Sequence, residues 1–134
     1  MKKVEHLGFA VSDIRAAEQT FARLLGQQAY KFESVEREGV TTAFFQVGET
    51  KIELLESTRS DSAISKFIAK KGEGMHHIAF DVEDIEAEMT RLRAEGFELL
   101  HDHPLDGADN KRICFIHPRS THGVLVELCE EKKD

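Results

Sequence analysis

One stretch of this chain occurs twice, and each copy carries the same ionisable residues. His6-Leu7-Gly8-Phe9-Ala10-Val11-Ser12-Asp13-Ile14 returns as His77-Ile78-Ala79-Phe80-Asp81-Val82-Glu83-Asp84-Ile85, 71 residues later. Ile52-Glu53-Leu54-Leu55-Glu56 returns as Val126-Glu127-Leu128-Cys129-Glu130, at a spacing of 74. The drift fits a longer second-half loop, Pro118 to Gly123, where the first half has Gly48-Glu49-Thr50. In a chain of 134 residues neither copy is large enough to be comfortable alone, so the two are expected to share one sheet and one interior. A repeated fold needs repeated hydrophobic residues, but it does not need a repeated histidine and glutamate. His6, Glu53, His77 and Glu127 therefore point to a metal site on the pseudo-twofold axis between the copies.

The hydrophobic pattern gives each copy the same order of elements. Val4 to Val11 alternates, with Leu7, Phe9 and Val11 on one side and His6, Gly8 and Ala10 on the other, as a strand requires. Ser12 and Asp13 are N-cap candidates for a helix through Ile14, Ala17, Phe21 and Leu24, stopped by Gly26. Strands are expected over Tyr30–Arg37, Val40–Val47 and Lys51–Glu56. In the second copy a strand over His77–Val82 leads to a helix capped by Asp84 and ended by Gly96. Strands over Phe97–His101, Arg112–Ile116 and Val124–Glu130 follow. Between the copies, Asp61 is expected to cap a short helix over Ile64, Phe67 and Ile68. The polar loop His103–Lys111 reads as a lid or rim, and the charged tail Glu131–Asp134 has no evident role.

This gives an α+β fold of two tandem β-α-β-β-β modules forming one open, cupped, mixed eight-stranded sheet around a metal site. The whole chain, 1–134, is expected to be one domain: module one 1–58, connecting helix 59–73, module two 74–134.

Alternation puts His6, Glu53, His77 and Glu127 on the concave side, with Ile52, Leu54, Ile78, Val126 and Leu128 on the helix-packed side. His76 falls on the other face, because the 71-residue spacing selects His77. Imidazole nitrogens with carboxylate oxygens suit a borderline divalent ion: Zn²⁺, Co²⁺, Ni²⁺, Mn²⁺ or Fe²⁺. Four protein ligands on an octahedral ion leave two neighbouring positions for water or for two substrate oxygens. His101 and His103 have no repeat partner and read as surface or loop residues, whereas His117 and His122 flank the last turn and are candidates to line the site. Lys66, Lys70, Lys71, Lys111, Arg112 and Arg119 read as solvated charges, with Arg112 the one to contact an anionic substrate.

Net charge −7, with its Lys and Arg scattered, argues against nucleic-acid binding. Composition, 40% hydrophobic and 32% charged, is that of a soluble globular protein. Cys114 and Cys129 lie in apolar runs with no metal or redox spacing and read as reduced core residues. Met1-Lys2-Lys3 leads straight into a strand, and no stretch approaches the roughly 20 apolar residues that cross a bilayer, so a cytoplasmic location without membrane contact is expected.

A doubled β-α-β-β-β unit carrying His…Glu…His…Glu resembles the vicinal oxygen chelate superfamily, and within it the methylmalonyl-CoA epimerases. The similar stretches are Asp61 to Phe67, Gly74-Met75-His76-His77-Ile78-Ala79-Phe80, and Arg112 to Pro118 running into Gly123-Val124-Leu125-Val126-Glu127-Leu128. The resemblance implies metal ligands at His6, Glu53, His77 and Glu127, an acyl-CoA substrate and a homodimer. It also implies interconversion of (R)- and (S)-methylmalonyl-CoA by α-proton removal and return through a metal-stabilised enolate. Some epimerases carry a glutamate base where this chain has Thr42, which cannot serve as a carboxylate base. Some carry Gln where this chain has Glu53, as glyoxalase I enzymes often do. The twofold pattern makes Glu127 and Glu53 the two candidate bases. Glyoxalase I chemistry is the alternative, although its usual Asp-Pro-Asp-Gly-like turn is replaced by His122-Gly123-Val124-Leu125. A non-catalytic small-molecule binding protein of the same fold is the other.

Overall fold

The computed structural model describes residues 1–132, so Lys133 and Asp134 of the charged tail lie outside the described residues. The chain divides into two compact units, residues 6–76, and Met1–Glu5 together with the chain from His77 onward. The elements run β1 (Lys3–Ala10), α1 (Ile14–Leu25), β2 (Lys31–Val35), β3 (Val40–Val47), β4 (Thr50–Ser57), α2 (Ala63–Lys71), β5 (Gly74–Asp81), α3 (Ile85–Ala94), β6 (Leu105–Gly107), β7 (Lys111–Ile116) and β8 (Val126–Glu131). A 3₁₀ turn, Pro118–Thr121, precedes β8. Each half thus follows the expected β-α-β-β-β order. The eight strands are ordered β2-β3-β4-β1 in the first half and β5-β8-β7-β6 in the second, a mixed arrangement in each. Each half contains one parallel pair, β1 with β4 and β5 with β8, and is otherwise antiparallel.

In each half one helix, α1 or α3, covers the face that carries the alternating hydrophobic residues. Phe9, Phe45 and Leu54 pack on Ile14, Ala17 and Phe21 of α1. Cys114, Ile116, Val126 and Leu128 pack on Ile85, Met89 and Leu92 of α3. Asp13 caps α1 by accepting from the amides of Arg15 and Ala16, and Gly26 ends it in the left-handed region at φ 72°. Asp84 caps α3 through the amide of Ala87. Both caps stand as the repeat predicts. Cys114 and Cys129 are free and buried, and burial pushes the Cys114 thiol up to about 11.

One part of the repeat has a purely structural explanation. The Ile14 amide, first in α1, donates to Glu56 Oε1 at 2.6 Å, and the Ile85 amide, first in α3, donates to Glu130 Oε2 at 3.2 Å. The second repeated glutamate therefore ties the last strand of each module to its helix N-terminus, satisfying an orphan amide and complementing the helix dipole. Glu56→Ala should lower unfolding free energy by about 1–2 kcal/mol while leaving substrate and metal handling intact. Urea denaturation checks this, and an unchanged midpoint rules the tie out.

Three sequence expectations change. The strand expected over Phe97–His101 is a single bridge, Leu99 to Ile116. Phe97 and Leu99 turn into the α3 core, and the Arg93 guanidinium draws the carbonyls of His101 and Asp102 away from the ladder. The ladder resumes at β6, inside the segment read as a lid, through a turn with Asp109 and Asn110 both left-handed. Leu105 there packs with Ala79, Ile113 and Cys129. The connecting helix is capped by Ser62, whose Oγ accepts from the Ser65 amide at 3.0 Å, while Asp61 pairs with Arg59 at 2.7 Å. Among the described residues no helix is long and apolar enough to cross a membrane.

Candidate functional site

In the first half, parallel register sets Gly8 of β1 beside Glu53 of β4. His6, two residues before Gly8, therefore projects from the same face as Glu53. Its Nδ1 lies 3.2 Å from Glu53 Oε2, with both side chains buried. In the second half, Ala79 of β5 stands beside Glu127 of β8, and His77 Nε2 lies 3.0 Å from Glu127 Oε1. That pair is buried too. The small residue across from each carboxylate, Gly8 or Ala79, leaves the glutamate side chain room to lean toward its histidine.

The four residues selected from the sequence thus form two His–Glu pairs, each inside its own half. Each buried His–Glu pair, His6 with Glu53 and His77 with Glu127, offers a set of donors that suits a divalent ion. The donor chemistry fits such an ion: imidazole nitrogens and carboxylate oxygens are borderline-hard ligands. Two buried carboxylates also carry charge that a dication offsets, whereas burial alone is costly for them.

The likeness of the halves goes beyond the His–Glu pairs. Phe44 of β3 stands opposite Glu53, and Phe115 of β7 stands opposite Glu127. The Phe115 ring meets the His77 ring edge-on, centroids 5.9 Å apart, and so fixes the imidazole plane. Two residues before each phenylalanine lie Thr42 and Ile113, opposite Leu55 and Cys129. The signal for these positions was present in Thr42-Ala43-Phe44-Phe45 against Ile113-Cys114-Phe115-Ile116, again 71 residues apart.

Other polar residues fall into place around the pairs. His76 packs edge-on against Phe67 of α2, centroids 5.0 Å apart. His103 and His122 are exposed. His117 Nδ1 accepts from the Arg119 amide at 3.0 Å and caps the 3₁₀ turn. His101 lies in the loop after α3, as expected of a surface or loop residue, but its ring sits beside Phe115 with a buried Nε2, and desolvation lowers its pKa. Arg112, singled out for an anionic substrate, instead binds Glu86 at 2.7 Å and Glu130 at 3.0 Å. Lys111, read as a solvated charge, is buried and lies 3.9 Å from buried Glu5.

This sheet and its His–Glu pairs define a metal-binding enzyme class built on paired β-α-β-β-β modules. Residues 5–115 match the profile of the glyoxalase/bleomycin resistance protein/dioxygenase superfamily, and the chain belongs to that superfamily. Among its relatives, the ethylmalonyl-CoA/methylmalonyl-CoA epimerase of Cereibacter sphaeroides is 37% identical over 128 residues, covering 94% of this chain and 96% of that one. The mitochondrial methylmalonyl-CoA epimerase of Mus musculus is 36% identical over 127 residues, covering 94% and 71%. A solved structure of Streptomyces coelicolor methylmalonyl-CoA epimerase, a variant in complex with 2-nitronate-propionyl-CoA, superposes with a TM-score of 0.94 at 36% identity, covering 98% and 95%.

Proposed function

We propose that this protein is a divalent-metal-dependent epimerase of acyl-CoA thioesters that interconverts (R)- and (S)-methylmalonyl-CoA. The observation that carries the reading is the pair of buried His–Glu contacts at repeat-equivalent positions, in a chain whose relatives include epimerases of this substrate. His6, Glu53, His77 and Glu127 hold the ion, and the protein works as a homodimer, as the family resemblance implies. When bound, the ion supplies Lewis-acid polarisation of the two substrate oxygens flanking the reacting carbon.

The remaining chemistry belongs to the side chains. Inversion requires that the α-proton leave one face of the carbon and that a proton arrive on the other. A carboxylate suits each role, because it accepts a proton as an ion and returns one as an acid. Glu127 serves one face and Glu53 the other. Their imidazole partners fix the carboxylates in place, at Oε1 of Glu127 and Oε2 of Glu53, so that little reorganisation accompanies transfer. Burial of both pairs keeps bulk water from competing for the proton.

The purified, metal-loaded protein should interconvert the two methylmalonyl-CoA epimers, lose that activity on chelation and regain it with a divalent ion. Absence of turnover on methylmalonyl-CoA together with formation of S-lactoylglutathione from the glutathione hemithioacetal would replace this reading with glyoxalase I chemistry. Tight binding without either reaction would make it a sequestering protein.

A further inference from the structure

Thr42 is fully buried, and its Oγ1 has no hydrogen-bond partner among the described residues. A buried hydroxyl without a partner costs stability, and the fold does not require one at this position. The other half supplies the internal comparison. Ile113 occupies the equivalent place, opposite Cys129 as Thr42 is opposite Leu55, and packs into an apolar cluster at 3% exposure. A β-branched hydrocarbon thus satisfies strand and packing needs there, and the hydroxyl is the only chemical addition in the first half.

Register fixes which face of the sheet carries the Thr42 side chain. Thr42 and Phe44 share a face of β3, and Phe44 stands directly opposite Glu53. Thr42 therefore projects from the face that carries His6 and Glu53, diagonal to Glu53 across the β3–β4 ladder. Diagonal neighbours of this kind lie about 7–8 Å apart, one small group from contact. On its far side lie Val40 and Leu55, roofed by Ile64 of α2. The hydroxyl sits where an apolar floor gives way to the proposed reaction centre.

We infer that Thr42 is a substrate-positioning residue whose hydroxyl donates a hydrogen bond to a carbonyl or carboxylate oxygen of the bound acyl-CoA. The inference rests on the proposed epimerase reading and adds to it a group that orients the dicarbonyl unit beside Glu53. The dicarbonyl thioester offers oxygens on both sides of its acidic carbon, so a donor next to one base holds that carbon at a fixed angle to it.

Thr42→Val keeps the shape and removes the hydroxyl, whereas Thr42→Ser keeps the hydroxyl and removes the methyl. For Thr42→Val, kcat/KM on methylmalonyl-CoA should fall about 10- to 100-fold, and the Kd for malonyl-CoA, measured by calorimetry, should rise in parallel. The melting temperature of the ligand-free protein should hold or rise, because a polar atom without a partner has been removed. Thr42→Ser should restore kcat/KM to within a few-fold. Unchanged kcat/KM and malonyl-CoA affinity in Thr42→Val would overturn the inference. So would a lowered melting temperature, which would assign the hydroxyl to the fold, or failure of Thr42→Ser to rescue, which would assign the effect to the methyl. A wild-type protein without epimerase activity would instead remove the underlying functional reading.

Discussion

Glu127→Gln should abolish inversion of methylmalonyl-CoA, by about 10²–10⁴-fold in kcat, while one epimer still exchanges its α-proton with solvent. Glutamine keeps the shape of the side chain and a carbonyl oxygen but cannot take up the proton. Were Glu127 the base for one face alone, the epimer presenting its proton to that face becomes inert. The other epimer can still surrender its proton to Glu53 and recover a solvent-derived one from the same side, without changing configuration. Glu53→Gln should give the mirror result, with the opposite epimer exchanging. Mass spectrometry of each epimer incubated in deuterated water reads both arms, and metal content measured in parallel separates loss of a base from loss of a ligand. The buried contacts to His77 and His6 make the two variants comparable, since each removes a carboxylate held by one imidazole nitrogen at 3.0 or 3.2 Å. Full epimerisation by Glu53→Gln would assign the second face to another group. Loss of exchange for the same epimer in both variants would end the two-base scheme.

The two His–Glu pairs were legible because repetition of an ionisable residue stands out from repetition of a packed one. Hydrophobic residues recur in any duplicated fold, but His6 with Glu53 and His77 with Glu127 recur for a reason that packing does not supply. The same logic also misleads if applied without geometry, as Glu56 and Glu130 show. They repeat as faithfully as Glu53 and Glu127, and they serve the amides of Ile14 and Ile85. Pattern alone cannot tell a carboxylate facing a histidine from one facing a helix end. Charges were the least legible part. Arg112 has two carboxylate partners on two other elements, and Lys111 is buried near Glu5, a residue roughly a hundred positions away in the chain. Long-range ion pairs leave no periodic trace. The β6 hairpin was missed for a different reason: three residues of strand give too short an alternation to stand out from a polar loop. Thr42 is the converse case, since its significance lies in the contrast with Ile113, which the register makes visible.

His77→Ala should remove most of the divalent-ion binding and with it the stabilisation that the ion confers. The imidazole is buried, holds Glu127 at 3.0 Å and is held in turn by the Phe115 ring. Loss of a partner outside the ligand shell costs a metal site about 10–100-fold in affinity, and loss of a ligand should exceed that. An ion present at 100 times its Kd stabilises the native state by about 2.7 kcal/mol, which for a chain of this length raises the melting temperature by roughly 10 °C. The wild-type protein should show that rise on adding Co²⁺ or Zn²⁺ after chelation, and the His77→Ala protein should show little of it. His76→Ala, which alters a ring packed on Phe67 of α2, should keep the full metal-dependent rise even if its baseline melting temperature drops. The comparison separates two adjacent histidines that differ by one step along a strand and so face opposite sides of the sheet. If His77→Ala binds the ion as wild type does, the second His–Glu pair is a structural contact, and the cation belongs elsewhere.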